Sequence, residues 1–266
     1  MVSIIMGVFN CEQTLGEAVE SIRAQSYTNW ELIMCDDGST DQTYNLAKRL
    51  AEQDMRIILL RNKKNYGLNI TLNRCLKHSR GEYIARMDGD DICGTDRFIK
   101  QVQYMDSHPE IAIVSSWMTL FDENGKWGVS RNPKYPTPEA VVSGNPIFHA
   151  PSMIRRAALL NVQGYSVDRR MLRVEDVDLW IKLYAKGYRA YNIQEPLYSM
   201  RNDKNALSRR KYIFRVNSTF VRLKGCRMLH LKPKYYLISL KPMLYGLIPG
   251  FIRTFIRNIQ YSFVFS

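Results

Sequence analysis

Up to Trp117 the chain alternates short β-rich runs with helix-period segments, and few folds accept that rhythm. The apolar runs are Val2–Phe9, Glu31–Cys35, Arg56–Leu60 and Tyr83–Met87, followed by Ile111–Trp117. Between them lie Thr14–Gln25, Asp41–Gln53, Asn69–Arg80 and Asp96–His108. In the first of these segments Leu15, Ala18, Val19 and Ile22 share one face, the period of an amphipathic helix. Strands alternating with helices predict an α/β fold with a parallel, doubly wound sheet. Such sheets bind ligands beyond the carboxyl ends of their strands. Two acidic turns, Asp36-Asp37-Gly38-Ser39 and Asp88-Gly89-Asp90-Asp91, follow the second and fourth runs. The expected topology therefore brings two carboxylate clusters to one crevice. Beyond Trp117 the rhythm breaks. Asp122-Glu123-Asn124-Gly125 reads as a hairpin turn, Ile147–Ile154 as a strand, and Val174–Lys186 as a helix stopped by Gly187.

Charge divides the chain at a different place. Residues 201–266 hold 14 Lys/Arg and one acid, Asp203, whereas residues 1–200 hold 24 of each sign. A neutral body with a basic tail predicts an anionic partner for the tail. Phe251, Ile252, Phe255, Ile256 and Ile259 share a helical stripe opposite Arg253, Arg257 and Gln260. That stripe reads either as a docked helix or as an interfacial helix on anionic lipid, and the scarcity of acids favours lipid. The apolar stretch Met243–Ile252, interrupted by Gly246, Pro249 and Gly250, falls short of the roughly 20 residues a spanning helix needs. Five cysteines without a C-x-x-C pair argue against a disulfide framework or zinc site and for the cytoplasm. The N-terminus reads as a strand and not as a signal peptide. A nucleic-acid partner would explain the tail but not the acidic crevice or the neutral body, so none is expected.

Three clusters can carry chemistry. Asp88-x-Asp90-Asp91 offers paired carboxylates, and Mg²⁺ or Mn²⁺ take such oxygens together with substrate phosphates. The plainer role is helix capping by Asp91 or Asp96. In the turn at Asp36–Ser39 a carboxylate can accept the imide N–H of uracil while Phe9 stacks on the base. Ser39 or Asp41 can equally serve as an N-cap, with Gly38 at positive φ. Glu175-Asp176-Val177-Asp178 opens a helix, where the dipole favours acids and where a general base can face the crevice. Arg86 is placed to reach a phosphate or to neutralise Asp88. His149 is either a ligand or a structural histidine.

Taken in order, Ser3–Asn10, Asp36-Asp37-Gly38-Ser39-Thr40-Asp41, Asn65-x-Gly67, Gly81–Asp91 and Glu175–Trp180 resemble family 2 glycosyltransferases. These are inverting enzymes with the GT-A fold, a Rossmann-like, mostly parallel sheet with flanking helices, and they use nucleotide sugars. The resemblance implies a GT-A domain over residues 1–200 and leaves 201–266 as a basic, aromatic helical tail. It implies that Phe9 stacks the base, Asp37 binds its imide edge and Arg86 serves the nucleotide. Asp88 would hold ribose or metal, Asp90 the metal, and Asp176 would be the catalytic base. The segment His149–Ser152 also resembles the family. Gly7 replaces the family's proline or threonine, and Gly94-Thr95 a common Leu-Pro. Asp203 stands where many relatives carry a metal-ligating histidine, so Asp203, His149 and water compete as the third ligand. The implied reaction moves a hexose, glucose or galactose, from a UDP-sugar to a polyprenyl-diphosphate-linked saccharide, forming a β-glycoside with Mn²⁺ or Mg²⁺. It points to bacterial O-antigen or capsule assembly, peripheral on the inner face of the cell membrane. A non-catalytic nucleotide-sugar sensor would keep Phe9, Asp37 and Asp90 yet need no base.

Overall fold

The computed structural model describes residues 1–202 and 211–247. Asp203 and the stripe Phe251–Ile259 lie outside the described residues. Strands β1 (Val2–Val8), β2 (Trp30–Asp36), β3 (Ile57–Arg61) and β4 (Tyr83–Arg86) form a parallel half-sheet in the order β3-β2-β1-β4. Central strands buried on both faces read as continuous apolar runs, which is how β1 looked in the sequence. Val2, Ile4, Met6 and Val8 enter one core layer, and Ile5 enters the other.

Helices α1 (Leu15–Arg23), α2 (Thr43–Gln53) and α4 (Arg97–Ser107) cover the first layer through Leu15, Ile22, Leu50 and Phe98. On the opposite face lie α3 (Leu68–His78), α5 (Pro138–Ser143), α6 (Arg156–Asn161), α7 (Glu175–Ala185) and α8 (Tyr212–Met228). They bury Leu72, Val142, Leu159, Trp180 and Val221. Each such side chain contributes about 1.5–3 kcal/mol relative to exposure. Two short helices, α9 (Pro233–Ser239) and α10 (Lys241–Leu247), follow. α8 approaches α7 very closely: a Cβ on Gly225 would sit 2.5 Å from Ile181 Cδ1. Arg222 of α8 also donates to the carbonyls of Val142 (2.7 Å) and Gly144 (2.8 Å), ending α5.

The second half of the sheet is mixed. β8 (Met153–Arg155) runs antiparallel between β4 and β6 (Ile111–Asp122), and β6 pairs in parallel with β9 (Arg189–Arg201). β5 (Ile92–Cys93) lies antiparallel on the outer edge of β9, and β7 (Gly125–Ser130) closes the hairpin with β6. The expected strand over Ile147–Ile154 shrinks to Met153–Arg155. Pro151 has no N–H to donate, and the Ser152 N–H turns back to the His149 carbonyl at 3.1 Å. β9 has the larger consequence for the site. Its register with β6 shifts around Ser116–Met118, opposite Pro196, and it then carries Tyr198 and Arg201 to the acidic turn after β4.

Candidate active site

The carboxyl ends of β1, β2 and β4 border one cleft made of three lobes. The first lobe is lined by Gly7, Phe9, Asp37, Asn65, Gly67 and Leu172. Phe9 follows β1 and is 44% exposed, so its ring is free to stack on a ligand. Asp37 is buried and its carboxylate is heavily used. Asn62 Nδ2 donates to Oδ1 at 2.7 Å, the Tyr66 N–H to Oδ1 at 3.0 Å, and the Gly67 N–H to Oδ2 at 2.9 Å. Asp37 thus clamps the Asn65–Gly67 loop to the end of β2. The turn needs glycine at position 38, where φ is +74° and a Cβ would sit 2.6 Å from the Lys64 carbonyl carbon. Asp36 is spent within the turn on the Ser39 N–H and Arg61.

The second lobe shares Gly7, Val8 and Phe9 with the first and adds Asp88, Gly89, Asp90 and Arg201. Carboxylate oxygens of Asp88, Asp90 and Asp91 lie within 4.8 Å of one another. Neither acid proposed as a plain cap plays that part. Asp96 makes no side-chain bond at the start of α4, and Asp91 accepts the Arg201 N–H of β9 at 2.8 Å. Burial, with the Asp88 and Asp90 charges added, pushes Asp91 up to about 8. A divalent cation relieves that repulsion, and three hard oxygens suit Mg²⁺ or Mn²⁺. Asp88 is half-buried and Asp90 exposed, so both are presented to the lobe while Asp91 backs them. Arg86 is buried and ion-paired with Asp88, and Tyr198 Oη accepts the Asp88 N–H at 3.2 Å. The fully buried Arg97 braces the turn by donating to the Arg86 carbonyl at 2.9 Å.

Lobe three is walled by Asn145, His149, Glu175 and Asp176, with Phe214, Arg215, Ser218 and Arg222 of α8 opposite. Asp176 accepts the Val177 N–H at 2.8 Å and Asn145 Nδ2 at 3.2 Å, and burial raises its pKa. Glu175 Oε2 is buried without a hydrogen-bond partner. Burial, then the Asp176 charge, pushes Glu175 up to about 7. Asp178 faces the core, accepting Ser166 Oγ at 2.6 Å and Lys224 Nζ at 3.1 Å. His149 Nε2 lies 2.8 Å from Tyr165 Oη, and burial followed by the Arg86 charge keeps the ring neutral. His149 therefore lines this lobe, apart from the carboxylate cluster, and the third oxygen of that cluster belongs to Asp91.

The sequence profile of Glycosyl transferase family 2 matches residues 3–178, more than half of the chain. The chain belongs to glycosyl transferase family 2. It is 42% identical to EpsE of Bacillus subtilis, named as a glycosyltransferase, over 94% of this chain and 90% of that one. It is 30% identical to WfaP of Escherichia coli, a UDP-Glc:α-D-GlcNAc-diphosphoundecaprenol β-1,3-glucosyltransferase, over 72% and 73% of the two chains. In three dimensions it resembles S. aureus TarS 1–349 in complex with UDP-GlcNAc, with TM-score 0.69 and 16% identity over 93% of this chain and 81% of that one. A mannosyltransferase from Pyrobaculum calidifontis in complex with GDP-Man and Mn²⁺ gives TM-score 0.64 at 21% identity, covering 92% and 68%. At these identities the two structures establish the GT-A fold alone.

Within this cleft the residues proposed from the sequence are distributed among the lobes. Phe9 and Asp37 border the first, Asp88 and Asp90 the second, and His149 and Asp176 the third. Arg86 lies beneath the second, paired with Asp88. Tyr198, Asp91's tie to β9, and the isolated oxygen of Glu175 were not singled out. Tyr198 reaches the turn from 110 residues away, a distance no local motif encodes.

Proposed function

We propose that this family 2 enzyme transfers a hexose from a UDP-sugar, with inversion, to a hydroxyl of a polyprenyl-diphosphate-linked saccharide. The observation that carries this reading is the arrangement of the cleft. A lobe with an exposed aromatic ring adjoins one bordered by the Asp88–Asp91 carboxylate cluster, and a third holds a half-buried acid at a helix start. Phe9 offers the base a stacking surface, and the Asn65–Gly67 loop held by Asp37 closes the side of that lobe. Asp88 and Asp90 would hold Mn²⁺ or Mg²⁺, which when bound neutralises the diphosphate leaving group. Arg86 pairs with Asp88 beneath the same lobe. Asp176, on the opposite side, accepts the acceptor hydroxyl's proton as that oxygen attacks the anomeric carbon, a contribution of about 10²–10⁴-fold. One displacement inverts configuration, so an α-linked donor yields a β-glycoside.

The acceptor class rests on three supports. The relative WfaP acts on a diphosphoundecaprenol-linked sugar. AmsE of Erwinia amylovora, 27% identical over 79% of this chain, is named for amylovoran biosynthesis. The stretch 211–247 is basic and forms one wall of the third lobe. Among the described residues no helix is long and apolar enough to cross a membrane, which accords with a peripheral enzyme on the inner face of the membrane. The pathway would be O-antigen or capsule assembly.

A screen of UDP-sugars against a polyprenyl-diphosphate-linked acceptor, with Mn²⁺ present, tests this. EDTA should abolish transfer and Mn²⁺ or Mg²⁺ restore it, while Asp90→Ala loses several orders of magnitude with its melting curve unchanged. Full activity in EDTA removes the metal from the mechanism, and inertness toward every UDP-sugar removes the donor.

A further inference from the structure

Arg173 stands at the one point where all three lobes meet, for it lines each of them. It follows the 3₁₀ turn Arg169–Met171, precedes α7, and is exposed. Its φ of +64° is left-handed, a conformation that costs a non-glycine residue of order 1 kcal/mol or more. The surrounding cations are committed elsewhere. Arg86 is paired with Asp88, and Arg201 with Glu17 at 2.7 Å and the Asp90 carbonyl at 3.1 Å. Arg222 is spent on the carbonyls that end α5. Arg173 makes no hydrogen bond or ion pair with any described residue, and its charge reaches Glu175 only at longer range. Among the described residues, a cleft rich in carboxylates thus keeps the Arg173 guanidinium in reserve, in a strained backbone, between nucleotide lobe, metal-capable turn and base.

We propose that Arg173 binds the β-phosphate of the donor and follows its charge as the sugar departs. This rests on the UDP-sugar reading above. In the transfer, the acceptor oxygen forms a bond to the anomeric carbon and the bond from that carbon to the β-phosphate oxygen breaks. Its electron pair leaves on the phosphate, which gains one negative charge, and the acceptor proton passes to Asp176. A guanidinium presents paired donors to phosphate oxygens, so its hold tightens as the charge develops.

Calorimetric titration of the full-length protein with UDP and with UMP, in Mn²⁺, isolates the β-phosphate. Arg173→Gly suits the left-handed backbone and removes the whole side chain, while Arg173→Lys keeps the charge without the fork. The wild type should favour UDP over UMP. Arg173→Gly should weaken UDP roughly 10- to 100-fold and leave UMP within about twofold, with Arg173→Lys between. An Arg173→Gly protein that retains the wild-type UDP/UMP ratio overturns the assignment. If Arg173→Gly does not fold, a wild-type ratio in Arg173→Lys overturns it equally. A wild type that binds neither nucleotide defeats the donor reading itself and takes this one with it.

Discussion

Two adjacent carboxylates open α7, and their surroundings separate their protonation. Glu175 is pushed up to about 7 by burial and by the charge of Asp176, while burial alone leads the upward shift of Asp176. The charge of Asp176 is itself a cause of the Glu175 shift, which makes Asp176 the one proposed here as the base. Asp176→Asn should lower transfer by roughly 10²–10⁴-fold with UDP affinity unchanged by calorimetry. Asp178→Asn breaks buried bonds to Ser166 and Lys224 instead. It should cost roughly 1–3 kcal/mol in urea unfolding and spare kcat/KM. Were Asp178→Asn the more damaging to transfer, the base would be misassigned. Glu175 adds a pH signature. Its carboxyl holds a proton in the folded chain up to about 7, against an ordinary value of 4.5. Between those values the unfolded chain binds fewer protons, so the wild type loses stability as pH rises through the window. Glu175→Gln escapes that loss. Its advantage in urea should grow by on the order of 2–3 kcal/mol from pH 5 to pH 8, and a gap independent of pH would contradict the buried, protonated Glu175. Asp88, Asp90 and Asp176 could be proposed from the sequence because each sits in a short acidic motif. Arg173, a cation just before a helix, belongs to no motif and becomes visible only when three lobes converge on it.

At the scale of elements, β1–β4 and α1–α4 lie within about two residues of where the apolar period places them, because each buries a face of its own. β5 and β8 span two and three residues, too short to show any period, and owe their pairing to β9, β4 and β6. The order and direction of strands in the mixed half were illegible because those pairings join segments far apart in the chain. The turn after β2 shows how an element positions the site. Gly38→Ala would force a Cβ to 2.6 Å from Lys64 backbone at a φ of +74°. The segment that must yield also carries the Tyr66 and Gly67 N–H groups held by Asp37. A loss of roughly 1–3 kcal/mol or more in urea, accompanied by weaker UDP binding, is expected. Gly125→Ala is the control. Its φ is +104° but nothing lies within 4 Å of a Cβ there, in the distant β6–β7 hairpin. It should lose stability without changing UDP affinity, and equal effects of the two variants on UDP would uncouple the β2 turn from the nucleotide lobe.

For the whole molecule, charge and core divide the chain in different places. Residues 211–247 carry eight Lys/Arg and no acid, continuing the basic tail. Yet Val221 and Cys226 are fully buried and Gly225 seats against Ile181, so α8 belongs to the core despite its charge. Truncation after Arg201 would uncover α7 and yield an insoluble chain, which says nothing about lipid. The exposed cations Lys232, Lys234 and Lys241 make a better probe. They flank Leu237 and Leu244, 72% and 54% exposed, on α9 and α10, and Pro242 beside them lines the third lobe. An acceptor anchored in a bilayer would enter the cleft at this face. Each lysine near an anionic surface contributes about 1 kcal/mol within a Debye length, so replacing all three by glutamine removes about 3 kcal/mol. Affinity for vesicles containing phosphatidylserine should then fall roughly 100-fold. Transfer to a water-soluble acceptor analogue should hold, because none of the three lines the cleft. Leu237→Ser with Leu244→Ser should instead lower the part of binding that survives high salt, since apolar insertion is not screened. Equal affinity for neutral and anionic vesicles would eliminate the electrostatic component and leave the cations as a solvated surface of the acceptor lobe.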